Sequence, residues 1–204
     1  MPELTLGSGF SKFSFALVAG ALAIACVSAP RAQDEFGARD QTSVQAVESL
    51  NAYAAYKLGD YETAREAWLD LAARDNTSAM LNLANLYAQG QGVEADPAEA
   101  IQWLEKAAAL GDSRAQFELG MAHENGIGVE RDPRAAADWF REAAEQGDKE
   151  AQFNLAVMLA TAYGAGLNES SPEQRTEATA WLKKAAAGGH PDAPAFLATL
   201  EAQN

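Results

Sequence analysis

Residues 77–112 of the chain read TSAMLNLANLYAQGQGVEADPAEAIQWLEKAAALGD, and residues 113–148 read SRAQFELGMAHENGIGVERDPRAAADWFREAAEQGD. The two stretches align without a gap, and 14 of their 36 positions are identical. The identities include glycines, a proline, aspartates and a tryptophan, which rarely coincide in one register by chance. A fixed period of this length is typical of a solenoid built from one repeated unit.

Looser copies of the pattern lie on both sides of this pair. The copy that follows carries six extra residues, and the copy that precedes it is weaker, with Trp68 matched to Trp103. The sequence predicts a repeat domain over residues 43–204, preceded by a flexible segment at residues 33–42. The predicted units and terminal helix are residues 43–76, 77–112, 113–148, 149–190 and 191–204.

Each unit is predicted to be a helical hairpin. Apolar residues between Ala79 and Tyr87 recur at a spacing of three and four, as on one face of a helix. Gly90 ends this first helix, because glycine readily adopts the positive φ of a helix C-terminus. The Asp96 carboxylate caps the second helix, and Pro97 suits its first turn, where no amide donor is needed.

Composition and charge exclude several functions. The chain has 15 basic and 29 acidic residues, a net charge of -14, so no nucleic-acid partner is expected. One cysteine and two histidines are too few for a metal site of the usual kinds. Neither a Ser/Thr-x-x-Lys motif nor a phosphate-binding loop occurs. We therefore predict no catalytic residues, no cofactor and no metal, and a protein that is not an enzyme.

The N-terminus indicates export. Residues 13–30 carry no charge, and the apolar part, residues 13–27, has the length of a signal peptide and falls short of a spanning helix. We predict a signal peptide at residues 1–32, cleaved after Ala32, and a periplasmic or secreted mature chain. Two alternatives would tether the chain to a membrane, namely lipidation of Cys26 and an uncleaved anchor.

The repeated pattern resembles the Sel1-like repeat family, which is related to the tetratricopeptide repeats. The matching motif is Ala115, Leu119, Gly120, Gly126, Gly128, Val129, Asp132, Ala136, Trp139, Ala143 and Ala144. The resemblance implies an all-α fold, a right-handed α-solenoid of about four helical hairpins plus a C-terminal helix. It also implies an adaptor that binds an unidentified protein partner, in this case in the bacterial envelope. The alternatives are a lipid-anchored component of an envelope assembly or export complex, and an envelope carbohydrate-binding protein or hydrolase.

One stripe of side chains on the first helices is a candidate binding surface. By similarity to tetratricopeptide hairpins, this side of the helices lines the concave face and would receive a partner's helix or extended segment. The alternative is that these side chains pack between neighbouring first helices. The candidate partner-binding residues are Leu81, Asn85, Arg114, Phe117, Met121, Glu150, Phe153 and Val157.

Overall fold

The structure is a computed structural model that describes residues 31–166 and 169–202, with side chains described from Ser43 onward. The chain divides into two units, residues 1–38 and 39–204. Of the first unit, residues 31–38 are described, and they are helical. The predicted export segment, with Cys26, lies in residues 1–30, outside the described residues, and the predicted cleavage point after Ala32 falls within the first helix.

The described residues form nine helices and no strand. The helices are α1 (Arg31–Lys57), α2 (Tyr61–Ala72), α3 (Thr77–Gln89), α4 (Pro97–Ala109), α5 (Ser113–Asn125), α6 (Pro133–Glu145), α7 (Lys149–Ala160), α8 (Pro172–Ala187) and α9 (Ala193–Glu201). The extensive contacts between the described helices join helices that are adjacent in the chain, from α2 to α9. Such nearest-neighbour packing defines a solenoid, so the prediction of an all-α solenoid is confirmed.

Residues 33–42, for which the sequence predicts a flexible segment, lie within α1. The helix contains one glycine, Gly37, no proline, and many alanine, glutamine, glutamate and arginine residues. These residue types lose little side-chain entropy in a helix.

The first helices of the second, third and fourth units (α3, α5 and α7) are capped at positions that follow the repeat. The Asn76 amide oxygen accepts from the Ala79 amide at 2.9 Å, and the Asp112 carboxylate accepts from the Arg114 amide at 3.0 Å. The Asp148 carboxylate accepts from the Ala151 amide at 2.9 Å. Each cap satisfies a backbone amide that has no partner within its helix, and this fixes where each of these units begins.

The match of Trp68 to Trp103 is wrong by one residue. Trp68 is 1% exposed, and its register in the core is that of the buried residues Leu104 and Phe140, which lie one and two periods of 36 residues further along the chain. Trp103 is instead half-buried at the edge of the core. The residue that aligns with Trp103 one repeat earlier is Ala67. Burial, rather than residue identity, therefore gives the correct alignment of the first unit.

A substitution in the turn between α2 and α3 is expected to stabilise the chain. Asp75 has φ +60°, whereas the turns of later units place Gly111 and Gly147 at the same position, with φ +84° and +94°. A side chain in this region is strained, so Asp75→Gly should raise the free energy of unfolding by about 0.5–1 kcal/mol. Urea denaturation measures this change.

The matched control is Ala73→Gly. Ala73 lies two residues earlier with φ -63°, an ordinary helical value. Glycine there relieves no strain and makes the unfolded chain more flexible, so it should lower stability by about 0.5–1 kcal/mol. If both glycine substitutions destabilised the chain to the same extent, the assignment of strain to Asp75 would be wrong.

Candidate functional site

An open groove lies beside the first helices of the second and third units. It has a volume of about 710 Å³ and is lined by residues of α3, α4 and α5, with Tyr53 of α1 and Ile127 of the loop after α5. We call it the α3–α5 groove. Its volume is in the range of pockets that bind ligands or a few side chains, and it is too small for a folded domain.

The α3–α5 groove has an apolar floor and a polar rim. Apolar residues on the floor include Leu81, Ala84, Ile101, Leu104, Phe117 and Met121. Polar residues that line it are Ser78, Asn82, Asn85, Arg114, Glu118 and Asn125. An apolar surface with a few polar groups around it is typical of sites that bind a segment of another molecule.

The repeat period brings the walls of the groove together. The Arg114 guanidinium donates to the Ser78 hydroxyl at 3.3 Å, and these residues are 36 positions apart. Leu81 and Phe117 are separated by the same interval, as are Asn85 and Met121. Equivalent residues of neighbouring units therefore face one groove. Five of the eight predicted binding residues are brought together in this way: Leu81, Asn85, Arg114, Phe117 and Met121.

Phe117 forms part of the groove wall and also contacts the core. Its ring centre lies 5.6 Å from that of the buried Phe140 in α6. The Phe117 side chain itself is half-buried, so one side of the ring remains available to a ligand. Leu81 is 9% exposed and contributes to the floor, whereas Asn85 is exposed at the rim.

The other three predicted residues lie outside the lining of this groove. The ring of Phe153 stacks on His190, with ring centres 4.1 Å apart, and meets the edge of Phe196 from α9 at 6.1 Å. Glu150 contacts His190, and Val157 is half-buried on α7. Helix α9 takes the place that the first helix of a further unit would occupy. Phe153 therefore packs against the next first helix, as in the alternative interpretation of the stripe.

His190 uses both of its ring nitrogens in hydrogen bonds. Its Nδ1 accepts a hydrogen bond from the Asp192 amide, so the proton of the neutral ring is on Nε2. That Nε2–H donates to the Glu150 carboxylate at 3.0 Å. His190 is 5% exposed. Both ring nitrogens are therefore engaged in hydrogen bonds that connect the residue before α9 to α7, which is a structural role.

Two carboxyls near the groove have shifted pKa values. The surrounding protein desolvates Glu118 and raises its pKa, although the side chain reaches solvent along the open side of the groove. Burial also acts to raise the pKa of Asp112. Hydrogen bonds from Thr77, the Ala115 amide and Arg114 outweigh that effect, so the pKa of Asp112 is lowered. The anionic form of Asp112 is thus stabilised by its hydrogen bonds, while the anionic form of Glu118 is destabilised by desolvation.

The raised pKa of Glu118 predicts that Glu118→Gln stabilises the fold by an amount that depends on pH. Folding favours the protonated carboxyl, so the group costs no stability below its ordinary pKa of 4.5 and destabilises the fold as the pH rises above that value. The melting temperature of the variant should equal that of the original chain at about pH 4 and exceed it at about pH 7. Glu105→Gln, which neutralises an exposed carboxylate outside the groove, controls for net charge and should give a smaller gain.

The groove has lining residues beyond the eight predicted binding residues. Glu118 follows Asn82 by 36 residues, and both line the groove, so the period itself held the signal for this residue. Ile101 and Leu104 of α4 were unpredictable as lining residues, because their apolar character indicates only a core face. Among the described residues, no cluster of His, Cys, Asp and Glu is arranged to hold a metal ion. No helix in the described ranges is long and apolar enough to cross a membrane.

Comparisons with a family model and with solved structures indicate the same family. The family model described as Sel1 repeat matches residues 77–112, 113–148 and 149–190. The curated proteins contain no match to this chain. Among solved structures, the chain is similar to the Sel1 repeat protein from Oxalobacter formigenes, with 32% identity and a TM-score of 0.64 over 73% of this chain and 59% of that one.

A second solved structure is similar over a nearly equal share of the chain. It is c5321, a protective antigen present in uropathogenic Escherichia coli strains, which displays an SLR fold. The identity is 34% and the TM-score 0.61, over 69% of this chain and 29% of that one. The chain therefore spans less than two thirds of the length of either protein.

Proposed function

Because the chain belongs to the Sel1 repeat family, whose members are generally protein-interaction scaffolds, we propose that it is a non-enzymatic adaptor that binds a segment of a partner protein. The binding site is the α3–α5 groove. The observation that carries this proposal is an open apolar groove formed by equivalent residues of two neighbouring repeats. A partner helix or extended segment would bury its side chains there.

The groove differs from the rest of the stripe in a way that supports this site. Between α7 and α9, the side chains of Phe153, His190 and Phe196 fill the space. Beside α3 and α5, the corresponding space holds Leu81 and Phe117 with an open volume of about 710 Å³. Burying apolar area of this kind against a partner provides about 25 cal/mol for each Å² removed from water.

We place this activity in the bacterial envelope, after removal of residues 1–32. The support is the uncharged segment at residues 13–30, with a central apolar part of signal-peptide length. Lipidation of Cys26 or retention of the segment would instead hold the adaptor at a membrane. Labelling cells with a fatty-acid probe, with Cys26→Ser as the control, distinguishes the lipidated form from the free one.

Photocrosslinking in cells tests the adaptor proposal. A photoreactive amino acid is introduced at Asn85, which is exposed at the groove rim, or at Gln102, which is exposed on α4 and does not line the groove. We expect the probe at Asn85 to yield a discrete crosslinked protein that mass spectrometry identifies. The probe at Gln102 should not yield that product.

Two further variants connect the crosslink to the groove. Leu81→Ala and Phe117→Ala remove apolar floor, so each should reduce the crosslink from Asn85 while circular dichroism still shows a helical chain. Crosslinking that is equal from both probe positions, or a crosslink from Asn85 that is unaffected by loss of Phe117, would refute the groove as the binding site.

A further inference from the structure

The α3–α5 groove contains an unpaired carboxylate. Glu118 lines the groove beside Phe117, and within the described residues it forms no hydrogen bond or ion pair. An anion that is partly withdrawn from water without a partner costs free energy in the folded chain. The neighbouring protein therefore leaves a negative charge in the groove that it does not neutralise.

The one cationic residue among the lining residues is already neutralised. The Arg114 guanidinium lies 3.4 Å from the Asp112 carboxylate and also donates to the Ser78 hydroxyl. The Asp112 side chain is 10% exposed, so it is held in place beside Arg114. Arg114 and Asp112 together carry no net charge, so the net charge at the groove is that of Glu118. The chain as a whole adds a net charge of -14.

We propose that the partner segment is cationic as well as apolar, and that it places a lysine or arginine side chain against Glu118. This inference rests on the proposed function and names the chemistry of its partner. Apolar side chains of the segment would contact Leu81, Phe117 and Met121, while its cation forms a charge-assisted hydrogen bond to the Glu118 carboxylate. Lysine and arginine suit such a site, because their stems pack on apolar surface while their charged ends reach a carboxylate.

The position of Glu118 allows the groove to select a cationic segment, and not only to attract one. Glu118 lies beside the apolar Phe117 and Met121 of the groove, so a bound segment that covers these residues would also shield the carboxylate from water and salt. Binding of a cation there also removes the unfavourable desolvation of the unpaired anion. A segment with an acidic residue at the same position would meet like charge, so the site discriminates against acidic partners.

A peptide library tests the partner chemistry. The probe is a phage-displayed library of random dodecapeptides, selected on the immobilised full-length chain, on Glu118→Gln and on Glu105→Gln. Glu105 is an exposed carboxylate on α4 outside the groove, so its variant removes the same charge from a different place. Calorimetry then measures the affinity of one enriched synthetic peptide for all three proteins.

We expect the original chain and Glu105→Gln to enrich peptides that combine apolar residues with lysine or arginine. Glu118→Gln should lose the basic enrichment and bind the enriched peptide about tenfold more weakly. Enriched peptides without a basic residue, or equal weakening by both variants, would overturn the role of Glu118 while leaving the groove as a peptide site. If no peptide were enriched on any of the three proteins, the proposed function would fail as well.

Discussion

Gly120→Ala is expected to lower the free energy of unfolding by about 2 kcal/mol, although alanine is the better helix former. Gly120 lies within α5 and is buried, and a Cβ at this position would be 2.5 Å from a ring carbon of Phe140. Phe140 is fully buried in α6 and has little room to move. The gain of about 1 kcal/mol in helix propensity is therefore outweighed by the steric overlap.

The other repeats show how this overlap can be removed. One repeat earlier, the equivalent pair is Ala84 and Leu104, and one repeat later it is Ala156 and Leu182, so a larger residue on the first helix accompanies a smaller one on the second. Phe140→Leu alone should cost about 1–2 kcal/mol through the cavity that it leaves. In that background Gly120→Ala should instead stabilise the chain.

A double-mutant cycle measures this coupling. Urea denaturation of the original chain, the two single variants and the double variant should give a favourable interaction energy of about 2 kcal/mol or more. Additive effects of the two substitutions would contradict the proposed contact between Gly120 and the Phe140 ring.

Gly128→Ala should have the second large effect, a loss of about 3 kcal/mol. Gly128 has φ +71°, and a Cβ there would overlap the carbonyl oxygen of Pro97 at the start of α4 and the side chain of Ile101. Two separate costs therefore add, the strain of a positive φ and a collision with backbone that cannot rotate away. Thermal and urea denaturation both measure the loss.

Gly147→Ala is the matched control for this prediction. Gly147 has φ +94°, but a Cβ there would meet nothing within 4 Å. Its substitution should cost only the strain of the backbone, about 1–2 kcal/mol. If the two variants were equally stable, the close approach of the loop to α4 would not contribute. Because Ile127 precedes Gly128 and lines the groove, Gly128→Ala should also weaken partner binding.

The period of 36 made the hairpins and the family predictable from the sequence. Capping residues such as Asp112 and Asp148 mark helix starts whatever the tertiary context, because they bond to amides of their own chain. The Sel1 resemblance is confirmed, and it was carried by the second and third units. Export remains a prediction from residues 13–30.

Features that depend on packing across repeats were harder to predict. Phe117 and Phe153 occupy equivalent positions, yet one lines the groove and the other is stacked on His190. The difference arises from the neighbour that follows, since α9 and its preceding turn supply His190 and Phe196. A periodic pattern predicts which residues share a side of the stack, but it does not predict which space a neighbouring side chain fills.

We propose that a partner segment binds in the α3–α5 groove. This proposal is tested most directly by the methyl NMR signals of methionine-labelled protein, recorded with and without the segment of the crosslinked partner. Met121 lines the groove, and Met158 is 5% exposed in the core of the adjoining unit. We expect the Met121 methyl signal to shift as the segment is added, while that of Met158 stays in place. A Met121 signal that stays unchanged when the protein is saturated with the segment would contradict binding in the groove.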